Sequence, residues 1–170
     1  MDLFSIIRSA RKPVFACQHC GRCCFNVFPL FDPDLSRMLN RVNLSKIRSY
    51  VKVYLGQGKE PPAGIRLFLD AGDVDRPATE RIKCPFLGHN NTCAIYEDRP
   101  LACRRFPIGT KVGDGACPHW NGHPDPEMSD ADKRWKEEEK NISKLGAGKY
   151  YRRWLNLLYP KGYIPPTYIR

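Results

Sequence analysis

The sequence of 170 residues lacks several features that would assign a function directly. No apolar run approaches the roughly 20 residues that a membrane-spanning helix needs, and no small-residue cleavage site follows the short apolar patch near the N-terminus. We therefore expect no transmembrane segment, no secretory signal and a cytoplasmic protein. The chain also has no phosphate-binding loop, no Ser/His/Asp set and no paired carboxylates in a supporting context, which argues against hydrolytic and phosphoryl-transfer chemistry.

What the chain does have is cysteine, in two compact blocks. The first block lies within residues 17–24 and the second between residues 84 and 117, with none elsewhere. The eight cysteines are Cys17, Cys20, Cys23, Cys24, Cys84, Cys93, Cys103 and Cys117. In a reducing compartment, clustered cysteines are more often metal ligands than structural disulfides. We therefore predict that the fold brings the two blocks together and that all eight thiols bind metal.

The spacing of the first block favours an iron–sulfur cluster but leaves zinc open. Its first three thiols follow one another at the same interval, which is the local signature of a [4Fe–4S] cluster. Such a cluster takes its fourth cysteine from a remote position followed by proline, and both Cys84 and Cys117 precede a proline. Gly21, in contrast, supplies the backbone freedom that a zinc knuckle needs. Eight thiols make two four-ligand sites with either metal.

The adjacent pair Cys23 and Cys24 suggests how the thiols divide between sites. Side chains of neighbouring residues are expected to point apart, so two such thiols should not share one tetrahedral ion. We predict that Cys23 completes the first set of three, whereas Cys24 faces a second site with Cys93 and Cys103. The four histidines are then expected at the surface or beside the ligands, because eight cysteines already fill two sites.

The cysteine blocks resemble a known family. The resemblance rests on Cys17-x-x-Cys20-Gly21-x-Cys23-Cys24, on Cys84-Pro85-Phe86-Leu87 and on the run CAIYEDRPLACRRFP from Cys93 to Pro107. These stretches are similar to the CxxCxxCC family of zinc- or iron-chelating domains, which includes flagellin N-methylase. The resemblance implies metal chelation by the cysteines, with an iron–sulfur cluster in several members. It also allows lysine methylation through a cluster, but the sequence shows no glycine-rich S-adenosylmethionine loop and we do not carry that activity over.

Two arginines in the second block, Arg99 and Arg104, are candidates for a supporting role at the metal. A four-thiolate site carries net negative charge, which nearby guanidinium groups offset while they donate hydrogen bonds to sulfur. Asp98 is predicted to cap a short helix with Pro100 in its first turn, so that Cys103 and Arg104 lie near its end. The alternative is that both arginines pair only with the two acidic residues that precede Arg99.

Hydrophobic periodicity predicts helices over about 33–40 and 44–55, the first capped by Asp32. A strand over 65–69 is expected to form a hairpin with 81–83. Further helices are predicted on either side of the glycines that follow Leu145. The fold class is therefore α+β: a small, mostly helical and irregular single domain with a short β-hairpin, held together by metal sites.

The C-terminal part of the chain carries much of the positive charge. We divide the chain into a cysteine-rich metal-binding domain, 1–124, and a basic helical C-terminal extension packed on it, 125–170. The net charge is +10, and residues 131–170 contain ten Lys or Arg against four Asp or Glu, a local excess of +6. Tyr150, Tyr151, Trp154 and Tyr159 lie among these charges, so the segment would suit RNA or an acidic protein partner. The alternative is a solvated helix face whose aromatic rings pack inward.

Together these features predict a cysteine-rich metal-binding protein that carries a [4Fe–4S] cluster or zinc. The favoured function is an iron–sulfur protein that serves electron transfer, cluster handling or protein modification. One alternative is a zinc-stabilised module that binds nucleic acid or an acidic protein. A second alternative is a cluster-dependent, methyltransferase-like enzyme.

Overall fold

The computed structural model describes residues 13–25, 28–56, 64–69, 84–112 and 116–160. The α-helices are α1 Asp32–Met38, α2 Leu44–Tyr50, α3 Leu101–Arg105, α4 Pro126–Leu145, α5 Ala147–Tyr150 and α6 Arg152–Leu158. The strands are β1 Phe28–Leu30, β2 Val51–Gly56 and β3 Gly64–Leu69, and short 3-10 helices cover Arg22–Phe25 and Tyr96–Asp98. The prediction of a small, mostly helical α+β fold is confirmed. None of the helices in the described part of the chain is long and apolar enough to cross a membrane.

The strands form one antiparallel sheet in the order β1-β3-β2. Leu67 of β3 lies opposite Leu30 of β1 on one side and Val53 of β2 on the other. The predicted strand over 65–69 is therefore confirmed, whereas its predicted partner over 81–83 lies outside the described residues. The partners that the structure describes are β1 and β2.

The predicted helix over 44–55 is wrong in its second half. Helix α2 ends at Tyr50, and Val51 adopts an extended backbone that begins strand β2. Val51 and Val53 alternate along the strand and both are buried. Branching at Cβ favours this pleated backbone over a helix, so the period-two burial of the valines prevails over the helical spacing.

Helix α1 begins one residue earlier than predicted, so Asp32 is its first residue and not its cap. The side chain that accepts a hydrogen bond from the helix start is that of Asp34. Phe31 is the N-cap, and its backbone N–H donates to Asp34 Oδ2 at 3.0 Å. Asp34 is fully buried and also accepts from the backbone N–H of Leu101 at 2.8 Å and from Arg37 Nη2 at 2.8 Å. One carboxylate therefore ties the start of α1 to the start of α3.

The main core joins all three strands to helices from both halves of the chain. Tyr151, at the junction of α5 and α6, is fully buried and donates its hydroxyl to the carbonyl of Leu30 at 2.8 Å. Trp154 Nε1 donates to Asp32 Oδ1 at 2.5 Å. The predicted interruption after Leu145 is confirmed, since Gly146 ends α4 with a φ of 78°. The C-terminal helices thus complete the core above β1 and α1.

A second, smaller apolar cluster contains Phe15, Cys117, Trp120 and Met128. The rings of Phe15 and Trp120 meet edge to face, with centroids 5.4 Å apart. The backbone N–H of Phe15 donates to the carbonyl of His123 at 2.7 Å. These contacts hold the first cysteine block beside residues 116–123.

Candidate metal centre

All eight cysteines line one cavity of about 130 Å³. Cys17 and Cys20 are exposed, Cys117 is buried, and the other five thiols are half-buried. The fold therefore brings the two cysteine blocks together, as the sequence predicts. As placed, however, no three His, Cys, Asp or Glu side chains within the described ranges form a group that would hold a single ion.

The first block turns at Gly21, which has a φ of 73°. Left-handed backbone of this kind strongly favours glycine. A Cβ at this position would also lie 3.0 Å from Asn91 Oδ1, so the second block packs directly against the turn. The backbone N–H of Cys24 donates to the carbonyl of Gly21 at 3.0 Å and starts the 3-10 helix Arg22–Phe25. Gly21 therefore gives the chain a tight turn here, and its role in a metal-binding knuckle stays a prediction.

The second block forms a turn that presents Cys84 and Cys93 to the cavity. The backbone N–H of Cys84 donates to the carbonyl of Cys24 at 2.8 Å, which joins the two blocks directly. Within the turn, the N–H of Gly88 donates to the carbonyl of Thr92 at 2.8 Å. Leu87 and Cys93 form an antiparallel bridge. Backbone hydrogen bonds, together with packing against the main core, therefore set the positions of these two thiols.

Cys103 lies on helix α3, and the prediction for the start of this helix is wrong. Asp98 belongs to the preceding 3-10 helix, where it accepts a hydrogen bond from Arg41 Nε. The N-cap of α3 is Pro100, and the free N–H of Leu101 is satisfied by the distant Asp34 instead. Sequence reasoning missed Asp34, although an acidic residue at the third position of a helix is a capping signal.

The thiols of Cys23, Cys24 and Cys84 lie close enough to shift the pKa values of their neighbours: Cys24 raises the pKa of Cys23, and Cys84 raises the pKa of Cys24. The two neighbouring thiols therefore lie close together, and their division between two sites stays a prediction. In a 3-10 helix successive side chains are only about 120° apart, which leaves both sulfurs within reach of each other.

These contacts shift the pKa values of the two neighbouring thiols. The neighbouring thiol of Cys24, together with burial, raises the pKa of Cys23 strongly. Cys23 favours the thiolate of Cys24, but the neighbouring Cys84 and burial outweigh this effect and raise the pKa of Cys24 to about 12. Both thiols therefore favour their protonated form at neutral pH.

Burial is also the first cause of raised pKa values at the remaining shifted thiols. It raises the pKa of Cys103 well above its usual range, with further contributions from Cys23 and Asp34. Cys103 keeps some accessible surface because it faces the cavity from deep within the fold. Burial raises the pKa of Cys117 as well, followed by the negative charges of Cys20 and Cys17. Cys117 is thus electrostatically close to the two exposed thiols.

Arg99 and Arg104 both line the cavity. The positive charge of Arg99 lowers the pKa values of Cys23 and Cys93, in opposition to their burial. The Arg99 guanidinium lies 3.6 Å from the centre of the Tyr96 ring, and Arg104 Nε donates to the carbonyl of Arg99 at 3.2 Å. Their described carboxylate neighbour is Glu127, at 3.8 and 3.9 Å, and not the acidic residues that precede Arg99. Arg99 is therefore placed to favour thiolates on this side of the cavity.

The histidines are distributed as expected. His19 lines the cavity and lies beside Tyr96, with ring centroids 5.2 Å apart. His119 lines the cavity too, while His89 lies exposed on the turn of the second block. His123 contributes its backbone carbonyl to the bond with Phe15.

Two of the four aromatic residues within 150–159 point inward, whereas Tyr150 and Tyr159 are half-buried. Tyr151 and Trp154 are fully buried, so neither ring is available to stack on a nucleotide base. The basic residues of α4 remain exposed, and two of them pair with carboxylates one turn away, Arg134 with Asp130 and Lys136 with Asp132. The exposed basic face of α4 is solvated, and a partner for it stays a prediction.

A small α+β fold with eight thiols around one cavity defines a class of protein, the cysteine-rich chelating domain. The family model CxxCxxCC, described as "Putative zinc- or iron-chelating domain", matches residues 16–139. The chain belongs to this family, as its cysteine blocks predict. Neither the curated proteins nor the solved structures contain a match to the chain.

Proposed function

We propose that this chain is an iron–sulfur protein whose eight thiols form two four-ligand sets on one cavity. The outer set consists of Cys17, Cys20, Cys23 and Cys117, and the inner set of Cys24, Cys84, Cys93 and Cys103. The convergence of all eight thiols on one cavity carries this proposal. We assign the protein to a reducing compartment such as the cytoplasm, where free thiols persist.

The electrostatic neighbours of Cys117 support its place in the outer set. Burial and the negative charges of Cys20 and Cys17 raise the pKa of Cys117, whereas the other proline-followed cysteine, Cys84, donates its backbone N–H to the Cys24 carbonyl at 2.8 Å. The outer set therefore combines three evenly spaced thiols with a remote cysteine before proline. This is the ligand pattern of a [4Fe–4S] cluster.

The cavity wall suits such a cluster. Aromatic and aliphatic side chains, among them Phe28, Phe86 and Phe106, surround the thiols and limit the access of water. Arg99 supplies positive charge against the net negative charge of a thiolate-bound cluster. When bound, the cluster would supply one-electron chemistry. The exposed Cys17 and Cys20 leave one edge of the cavity open to a partner, which favours electron transfer or cluster handling.

Zinc is the second candidate, and one observation favours it. The left-handed Gly21 after Cys20 gives the first block the shape of a zinc knuckle. In this case the metal would stabilise the loops and would take no part in redox chemistry.

Metal analysis of protein purified without oxygen separates these possibilities. An iron–sulfur protein should contain about four iron and four acid-labile sulfide ions per cluster. Replacing Cys20 with serine should lower the iron and sulfide content, whereas His89→Ala, a change on the exposed turn, should leave both unaltered. Stoichiometric zinc without labile sulfide would overturn the iron–sulfur assignment in favour of zinc. Protein that binds neither metal would refute chelation altogether.

A further inference from the structure

We infer that the two thiol sets differ in function: the outer set exchanges its metal, and the inner set retains it. This inference rests on the proposed metal binding and adds that the two sets release metal at different rates. The exchangeable ligand is a thiophilic metal ion, or a cluster, that passes to the thiolates of an acceptor. In such a step, metal–thiolate bonds to the outer set break as bonds to the acceptor thiolates form, with no change in oxidation state.

Three ligands of the outer set, Cys17, Cys20 and Cys117, are carried by irregular backbone, and Cys23 follows in a short 3-10 helix. Cys17 and Cys20 are exposed and lie within residues 13–21, which form no helix or strand. This segment is held by the bond from Phe15 N–H to the His123 carbonyl and by the bond from Asn121 Nδ2 to the Pro13 carbonyl, at 2.9 Å. The loop of Cys117 faces it across the smaller apolar cluster.

Three ligands of the inner set lie close to the main core: Cys84 and Cys93 pack against it from a turn, and Cys103 lies on α3. Cys103 lies on α3, between the buried Leu101 and Ala102 on one side and a helix end packed on α4 on the other. The fully buried Asp34 holds the first N–H of this helix. Arg105 at the end of α3 pairs with Asp132 of α4 at 2.7 Å. Opening this side of the cavity would disrupt the main core.

The contrast predicts two rates of opening. Local opening costs little where few buried contacts and few backbone bonds are lost, and approaches the full unfolding free energy where core elements must separate. Residues 13–21 can move away with the loss of the Phe15–Trp120 contact and a few hydrogen bonds. The outer set can therefore release metal while the inner set keeps the fold intact.

The packing of Phe15 holds residues 13–21 against the loop of Cys117. Phe15 is buried, it packs edge to face on Trp120, and it belongs to the cluster that covers Cys117. Its neighbour Val14 is 58% exposed and provides a matched position for a control. Weakening the contact between Phe15 and Trp120 should speed metal exchange at the outer set alone.

The test uses the full chain loaded with Zn²⁺ as the probe ion and mixed with excess chromogenic chelator. We expect release in two phases, with the fast phase at least about tenfold ahead of the slow one. Alkylation of the loaded protein, read cysteine by cysteine in a mass spectrometer, should modify Cys17 and Cys20 before Cys103. Phe15→Ala should speed the fast phase about tenfold or more and leave the slow phase unchanged, and Val14→Ala should alter neither.

The release and alkylation experiments can each refute the division into two sets. Release in one phase, uniform alkylation, or equal acceleration of both phases by Phe15→Ala would overturn the division into two sets while leaving metal binding intact. A chain that binds no zinc and no iron would overturn both this inference and the proposed function. The alkylation order in the unaltered protein keeps the test valid even if Phe15→Ala fails to fold.

Discussion

Replacing Asp34 with alanine should destabilise the protein more than any surface substitution of the same kind. Asp34 is fully buried and accepts hydrogen bonds from Phe31 N–H, Leu101 N–H and the Arg37 guanidinium, at 3.0, 2.8 and 2.8 Å. The substitution would leave all three donors without this acceptor. The carboxylate also joins two helices, so its loss should loosen α3 and the Cys103 that it carries.

The magnitude follows from the cost of unpaired buried groups. Each buried donor left unsatisfied costs about 1–3 kcal/mol, and breaking a buried ion pair by removing one partner costs about 3–5 kcal/mol. Since these effects overlap at one side chain, we expect a loss of about 3–5 kcal/mol. Against a typical unfolding free energy of about 5–15 kcal/mol, this is a large fraction of the stability.

Denaturant unfolding followed by circular dichroism measures the effect. Asp130→Ala is the matched control, because Asp130 lies exposed on α4 and pairs with Arg134 at 2.8 Å. Exposed pairs of this kind contribute about 0.3–0.5 kcal/mol. A loss below about 1 kcal/mol for Asp34→Ala, or equal losses for both variants, would refute the role assigned to Asp34.

Three further predictions concern other parts of the fold. Burial, opposed by the three donors, raises the pKa of Asp34 from 3.8 to about 6. Its contribution to stability is therefore present below pH 3.8 and is lost as the pH rises through 6, by about 3 kcal/mol in total. Denaturation at several pH values should show this decline in the parent protein and not in Asp34→Asn; identical profiles would contradict it. Gly21→Ala should cost about 1–2 kcal/mol from the left-handed backbone alone and should lower metal content; unchanged metal and stability would show that the turn is not needed. Trp154→Ala should cost about 3–5 kcal/mol and Trp154→Phe less, since phenylalanine keeps one aromatic ring and loses the bond to Asp32 and part of the packing; equal stability of the alanine variant and the parent in thermal unfolding would place the C-terminal helices outside the core.

Features coded by neighbouring residues were predictable from the sequence. The grouping of the cysteines in two blocks predicted that they would meet in one place. Gly21 predicted the tight turn because this turn depends only on the backbone conformation of that residue. Helix α1 and the end of α4 followed from helical spacing, from proline and from glycine. In each case the signal lies within a few residues of the feature.

Features set by distant contacts were missed. The cap of α3 is Asp34, 67 residues away, so the local candidate Asp98 was chosen instead. The stretch from Val51 could continue a helix by its spacing alone, and only pairing with β3 makes it a strand. The direct contact between Cys23 and Cys24 depends on the 3-10 geometry of their turn, which spacing does not specify.

X-ray absorption spectroscopy of the metal in protein purified without oxygen tests the central claim most directly. If the metal is bound by the cysteine thiols, the atoms that coordinate it should be protein sulfurs. Bridging sulfide should join them if a cluster is present. For zinc, the sulfur distance should be about 2.3 Å. A first shell of nitrogen or oxygen, at about 2.0–2.2 Å, would place the metal away from the eight thiols and contradict the account.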